Sequence, residues 1–161
     1  MTDGRWRWIL FDLDYGLADD VSYGLWFMID PEGTGYMKKF NTDLINSLLK
    51  NEEFFDMFLT RFAYHLDNTF EQERVISEIE KLQTLIEPEI RRNIDKWGYN
   101  YASWDWQVQS MIEYVVDVDG KGKTRKEQLL EEIQQIFSLD EETMKYYFFP
   151  EEESEIITPE T

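Results

Sequence analysis

The chain has 161 residues, 42% apolar and 16% aromatic, enough for one ordinary hydrophobic core and consistent with a single domain. Its 34 acidic and 16 basic residues leave a formal charge of -18, which opposes binding to nucleic-acid backbones and anionic membranes but tolerates phosphates already neutralised by a metal ion. Without cysteine, disulfides, thiolate metal sites and cysteine nucleophiles are excluded together.

Trp6 to Phe11 is aromatic or branched at nearly every position, broken only by Arg7, and its length suits a strand buried on both faces. Such a strand needs neighbours to satisfy its backbone groups. None precedes it, so the start reads as a cut in a longer gene product, or else a short hairpin completes the pairing. Tyr15 to Lys39 contains Gly16, Gly24, Gly33 and Gly35 with no sustained period, and is expected to be a long irregular segment.

Helical periodicity begins near Asn41 or Thr42, either of which can cap a helix carrying Leu44, Ile45, Leu48 and Leu49. A second helix follows, with Phe54, Phe55, Phe58, Leu59, Phe62 and Leu66 forming an aromatic stripe that Asp67 and Asn68 end. A third runs from about Glu71 to Trp97 with Val75, Ile79, Leu82, Leu85 and Ile86 on its apolar face, and Pro88 inside it predicts a kink or a restart. Ser103 or Asp105 can open a fourth through Val108, Met111, Ile112 and Val115, and Thr124 can cap a fifth carrying Leu129, Leu130, Ile133, Ile136 and Phe137. The tail from Pro150 is rich in Glu and Pro and reads as an acidic linker or disordered end. No run approaches the roughly 20 apolar residues of a membrane span, and the first residues do not read as a secretory signal, lacking its basic region, apolar stretch and small-residue cleavage site. A soluble protein is therefore expected, with its compartment left open.

In FDLDYG, Asp12 and Asp14 stand two apart, so on a continuing strand both carboxylates leave one face within reach of one cation. Hard oxygen ligands of this kind suit magnesium or manganese. Aspartates also end strands as turn residues, and Arg5 and Arg7 can neutralise the pair, so the spacing alone leaves both readings open. VDVDGKGKT near Asp117 fits neither a calcium loop, because Gln128 stands where the closing glutamate belongs, nor a phosphate loop, because Asp117 replaces the first glycine. A solvated turn is the expectation there. His65, the only histidine, is expected to pack or cap rather than catalyse. Trp97, Tyr99, Tyr101, Trp104 and Trp106 can line a groove for sugar or peptide, or fill the bundle where the third and fourth helices meet.

Taken together, the tryptophan-rich strand into DLDYG, the NEEFFDMFLTRFAYHLDNTF block, LIEPEIRRNIDKWG, a Trp-containing helix and TRKEQLLEEIQQIFSL resemble the C-terminal half of the CotH kinase family. These are the spore coat protein H-like atypical kinases, and the likeness runs from roughly Trp6 to Leu139. The resemblance implies a mainly α chain: a helical C-lobe-like bundle of about five helices behind a short N-terminal strand or hairpin, part of an atypical protein-kinase-like fold. Residues 1–149 would be domain and 150–161 linker. It further implies a bacterial transferase that uses ATP with Mg2+ or Mn2+ to phosphorylate serine in a protein substrate, in a secreted or cell-surface setting. Asp12 would be the principal metal ligand and nucleotide contact, and Asp14 the second ligand; Asn41, Arg61 and Arg125 fall in matching blocks and are read as structural. The nucleotide-binding lobe and the catalytic-loop aspartate would precede residue 1. No catalytic residue is therefore expected in this chain, which by itself should be inactive. The alternative is a non-enzymatic helical interaction module that binds a protein or glycan partner without metal.

Overall fold

The computed structural model describes Leu17, Leu25, Ile29 and residues 43–98 and 100–150. Among the described residues six α-helices follow one another from Asp43 on: α1 (Asp43–Leu48), α2 (Glu52–Tyr64), α3 (Gln72–Trp97), α4 (Tyr101–Val116), α5 (Arg125–Phe137) and α6 (Glu141–Phe148). A π-helical turn, His65–Thr69, extends α2. Among the described residues there is no strand, and the chain is mainly α as expected; the N-terminal strand expected at Trp6 to Phe11 lies outside them.

Each helix after α1 opens on a side chain that accepts orphan backbone N–H groups, as helix ends require. Asn51 accepts from Phe54 N at 2.9 Å, and the Glu71 carboxylate accepts from Glu73 N and Arg74 N at 3.1 and 2.9 Å. Asn100 accepts from Ser103 N at 2.7 Å, so α4 begins at Tyr101, earlier than either expected cap. Ser103 is already in its first turn. Thr124 forms the expected start of α5 as a full capping box with Glu127. Asp140 accepts from Thr143 N at 2.8 Å and opens α6, a sixth helix that the apolar periodicity did not reveal.

The core is built by three helices. Leu59, Ala63 and Leu66 from α2 and its π turn meet Leu130 and Ile133 of α5 and Met144 and Phe148 of α6. Leu59 and Ile133 are completely enclosed. Phe137 presents an edge to Phe55 and Phe58, with ring centroids 4.9 and 6.0 Å apart, and Phe62 meets Phe148 at 6.3 Å, the T-shaped geometry that aromatic quadrupoles favour. The aromatic stripe of α2 is therefore core, as its spacing predicted.

α3 and α4 form a helical hairpin, with Ile79, Val108 and Val115 buried along it. α3 is a single helix through Pro88, so a restart is not realised. α3 packs on α4, and the Tyr101 hydroxyl donates to Glu87 Oε1 at 2.5 Å beside the proline. That same bond raises the Tyr101 pKa, because the carboxylate favours the protonated phenol. Of the apolar face expected on α3, Ile79 is buried, but Leu82, Leu85 and Ile86 are exposed, because no described element covers that part of the helix.

Candidate functional site

Asp12 and Asp14 lie outside the described residues, as do Arg5, Arg7 and Asn41. What the structure shows is where the chain that follows them meets the helices. Leu25 packs against the α2–α5–α6 core, its N–H donates to Glu132 Oε2 at 2.6 Å, and its carbonyl accepts the N–H of Ile29 at 2.7 Å. Ile29 is buried. Leu17 lines a cavity of about 280 Å³ whose apolar wall is made by Leu66, Phe70, Val75, Val115 and Leu129.

A polar relay runs beside these contacts on one face of α5. Arg125 Nη1 donates to Gln128 Oε1 at 2.8 Å, and Gln128 Nε2 donates to Glu132 Oε1 at 2.8 Å. The Arg125 guanidinium stacks on the Tyr114 ring at 4.8 Å, which gives this residue a structural role. Burial raises the Tyr114 pKa; the Arg125 charge works against that shift and the Glu132 charge with it. Lys126 pairs with Asp67 at 2.6 Å and ties the start of α5 to the π turn.

Glu132 was not anticipated from the sequence. Its signal was present: it stands three residues after Leu129 and four before Ile136, so it shares their side of the helix. A carboxylate at an apolar position requires a specific partner, and that partner is a backbone amide 107 residues distant.

The VDVDGKGKT segment is a turn. Asp117 Oδ1 accepts from Gly122 N at 2.6 Å, and Asp119 Oδ1 accepts from Lys121 N and Lys123 N at 2.8 and 3.2 Å. Gly120 and Gly122 take positive φ there, a conformation glycine adopts without a Cβ penalty. His65 also has a local role, its Nδ1 hydrogen-bonded to Thr69 Oγ1 at 2.8 Å within the π turn.

The aromatic cluster departs from the reading in which it fills the bundle. Trp97 and Trp106 are 62% and 60% exposed, and Tyr101 is exposed as well. Trp104 alone of the described members turns inward, beside Ile90 and Ile94; Tyr99 lies outside the described residues. Among the described residues no group of three or more His, Asp or Glu side chains is placed to hold a metal ion. Among them, too, no helix is long and apolar enough to cross a membrane.

The described residues form a mainly helical module that follows a DLDYG sequence in the chain. The chain belongs to the CotH kinase protein family, whose profile it matches over residues 1–117. No curated protein and no solved structure gives a significant match.

Proposed function

We propose that the chain supplies the metal-binding acid of an ATP-dependent phosphoryl transfer to serine in a protein substrate, with Asp12 the principal Mg2+ or Mn2+ ligand and Asp14 the second. The observation that carries this reading is the family match, which includes DLDYG within residues 1–117. The donor set fits the group: two carboxylates offer the hard oxygens that both ions prefer. A bound ion would neutralise phosphate charge, which also reconciles a chain of charge -18 with an anionic cosubstrate. The residues of this chain would hold the ion; α2, α5 and α6 form the core against which Leu25, eleven residues after Asp14, packs.

Titration of the full chain with Mn2+, followed by calorimetry and electron paramagnetic resonance, tests the assignment. Asp12→Asn should abolish binding and Asp14→Asn weaken it. Unchanged affinity in Asp12→Asn would remove the basis for the reading.

The exposure of Trp97 and Trp106 favours a second reading, in which the end of the α3–α4 hairpin is a binding surface for a protein or glycan partner. This reading needs no metal. Loss of partner capture in Trp97→Ala and Trp106→Ala, with Asp12→Asn unaffected, would support it over the first.

A further inference from the structure

Leu82, Leu85 and Ile86 stand three and four residues apart, so they share one side of α3. They are 54%, 71% and 47% exposed. The α3–α4 hairpin itself does not need them, since Ile79, Val108 and Val115 are its buried residues. Adjoining aliphatic side chains left in water mark a surface that another molecule covers.

The charges around this patch form a palindrome. Before Leu85, Glu78 and Lys81 make an exposed ion pair at 3.0 Å; after it, Glu89 and Arg92 make another at 2.8 Å. Their members stand seven and four residues before Leu85, and four and seven residues after it. At 3.6 residues per turn, those offsets return to the side of the helix that carries Leu85. Either pair alone is ordinary decoration of a solvated helix. Together they have a further property: turned end for end about Leu85, α3 presents a base at each place where it had an acid, and an acid where it had a base.

We infer that this face of α3 joins a second copy of the chain, the two α3 helices running antiparallel across a two-fold axis at Leu85. A two-fold contact uses the same patch on both subunits and must therefore be self-complementary. About that axis Glu78 faces the partner's Arg92, Lys81 faces the partner's Glu89, and Leu85 packs on the partner's Leu85. A parallel pair in register would set like charges together, which is unfavourable. An unrelated partner would require no mirror relation at all. A single helix contact lies at the small end of specific interfaces, below about 1,200 Å², and the charge of -18 on each chain opposes association. The dimer is therefore weak, with a dissociation constant on the order of 100 µM, and the face is free in dilute solution.

Sedimentation equilibrium of the full chain, from about 5 to about 500 µM, tests this by mass action. Salt of about 0.15 M screens the long-range repulsion. The average mass should rise reversibly from one chain toward two, and a constant mass of one chain overturns the proposal. Leu85→Glu, at an exposed position, should remain folded by circular dichroism and stay monomeric; dimerisation of that variant would place the interface elsewhere and also overturns it. Glu78→Arg and Arg92→Glu should each associate about tenfold more weakly, since each sets two exposed pairs of like charge across the axis. An equimolar mixture of these two variants restores both oppositions and should regain wild-type affinity. Should Leu85→Glu fail to fold, the wild type and this mixture still decide. Unchanged affinity in the single variants, or a mixture no tighter than either alone, refutes the antiparallel pairing and the proposal with it. Because the chain has no cysteine, maleimide labelling of Leu85→Cys in dilute solution reports the cover directly: resistance to labelling would show the face closed by its own chain, and would likewise overturn the inference.

Discussion

Leu59→Ala and Leu85→Ala remove the same atoms from two helices and should have very different effects. Leu59 is 0% exposed and is enclosed by Leu130, Ile133, Met144 and Phe148 from α5 and α6, so truncation loses the transfer energy of the side chain and leaves a cavity, about 3 kcal/mol together. At about 3 °C per kcal/mol for a chain of this size, the melting temperature should fall by about 10 °C. Leu85 is 71% exposed on the outer face of α3; its truncation should cost less than about 0.5 kcal/mol, within the usual range for a surface change. Urea unfolding followed by far-UV circular dichroism measures both, and an unchanged m-value confirms that the comparison is of like with like. An equal loss in the two variants would refute the division into a closed α2–α5–α6 core and a hairpin with a free outer face. It would show instead that Leu85 is covered in solution.

Ser138 ends α5 at φ 51° and ψ 43°, left-handed backbone that costs an ordinary residue about 1–2 kcal/mol. Ser138→Gly relieves that strain but loosens the unfolded chain, for a net gain of about 0.5 kcal/mol; a lower melting temperature would argue against the left-handed cap. Burial, together with the bond its hydroxyl donates to Asp56 at 2.5 Å, pushes the Tyr147 pKa up to about 12 from 10.0. Because the folded state holds the proton more tightly, this contribution to stability is complete below pH about 10 and is lost as the pH rises through about 12. Alkaline unfolding curves should therefore be shallower for Tyr147→Phe over that window, and superimposable curves would dissociate the bond from stability.

Some of this organisation can be read from residue spacing. The stripe from Phe54 to Leu66 and the capped run from Thr124 to Phe137 report faces that are in fact packed together. Spacing identifies which side chains share a face; it does not say whether a second element covers that face. Trp104 and Trp106 are two residues apart on α4, so they point to different sides of the helix, and only Trp104 meets α3. α6 is eight residues long, too short for periodicity to stand out, although Asp140 followed by Glu141 and Glu142 is a recognisable helix start. Glu132 escaped for another reason. Its partner is a main-chain amide, and no side-chain pattern encodes which backbone group a carboxylate will meet.

The two aspartate pairs in this chain show what spacing cannot distinguish. Asp117 and Asp119 stand two apart, as Asp12 and Asp14 do, yet their oxygens are consumed by the amides of the turn they close. Burial works to raise the Asp119 pKa, but the amides and charges of Lys121 and Lys123 hold it below the usual carboxylate value. A cation arriving there would have to displace those amides and would meet two lysines. Around DLDYG the sequence supplies a different balance: Arg5 and Arg7 precede it, but Asp19 and Asp20 follow, and no further base occurs before Lys38. On the proposed reading, a divalent ion would provide the positive charge that the downstream sequence withholds. The two pairs thus differ in their neighbouring bases: two lysines lie in the turn that Asp117 and Asp119 close, whereas the sequence after Asp14 carries none before Lys38, which is why the proposed metal site is at the first pair and not the second.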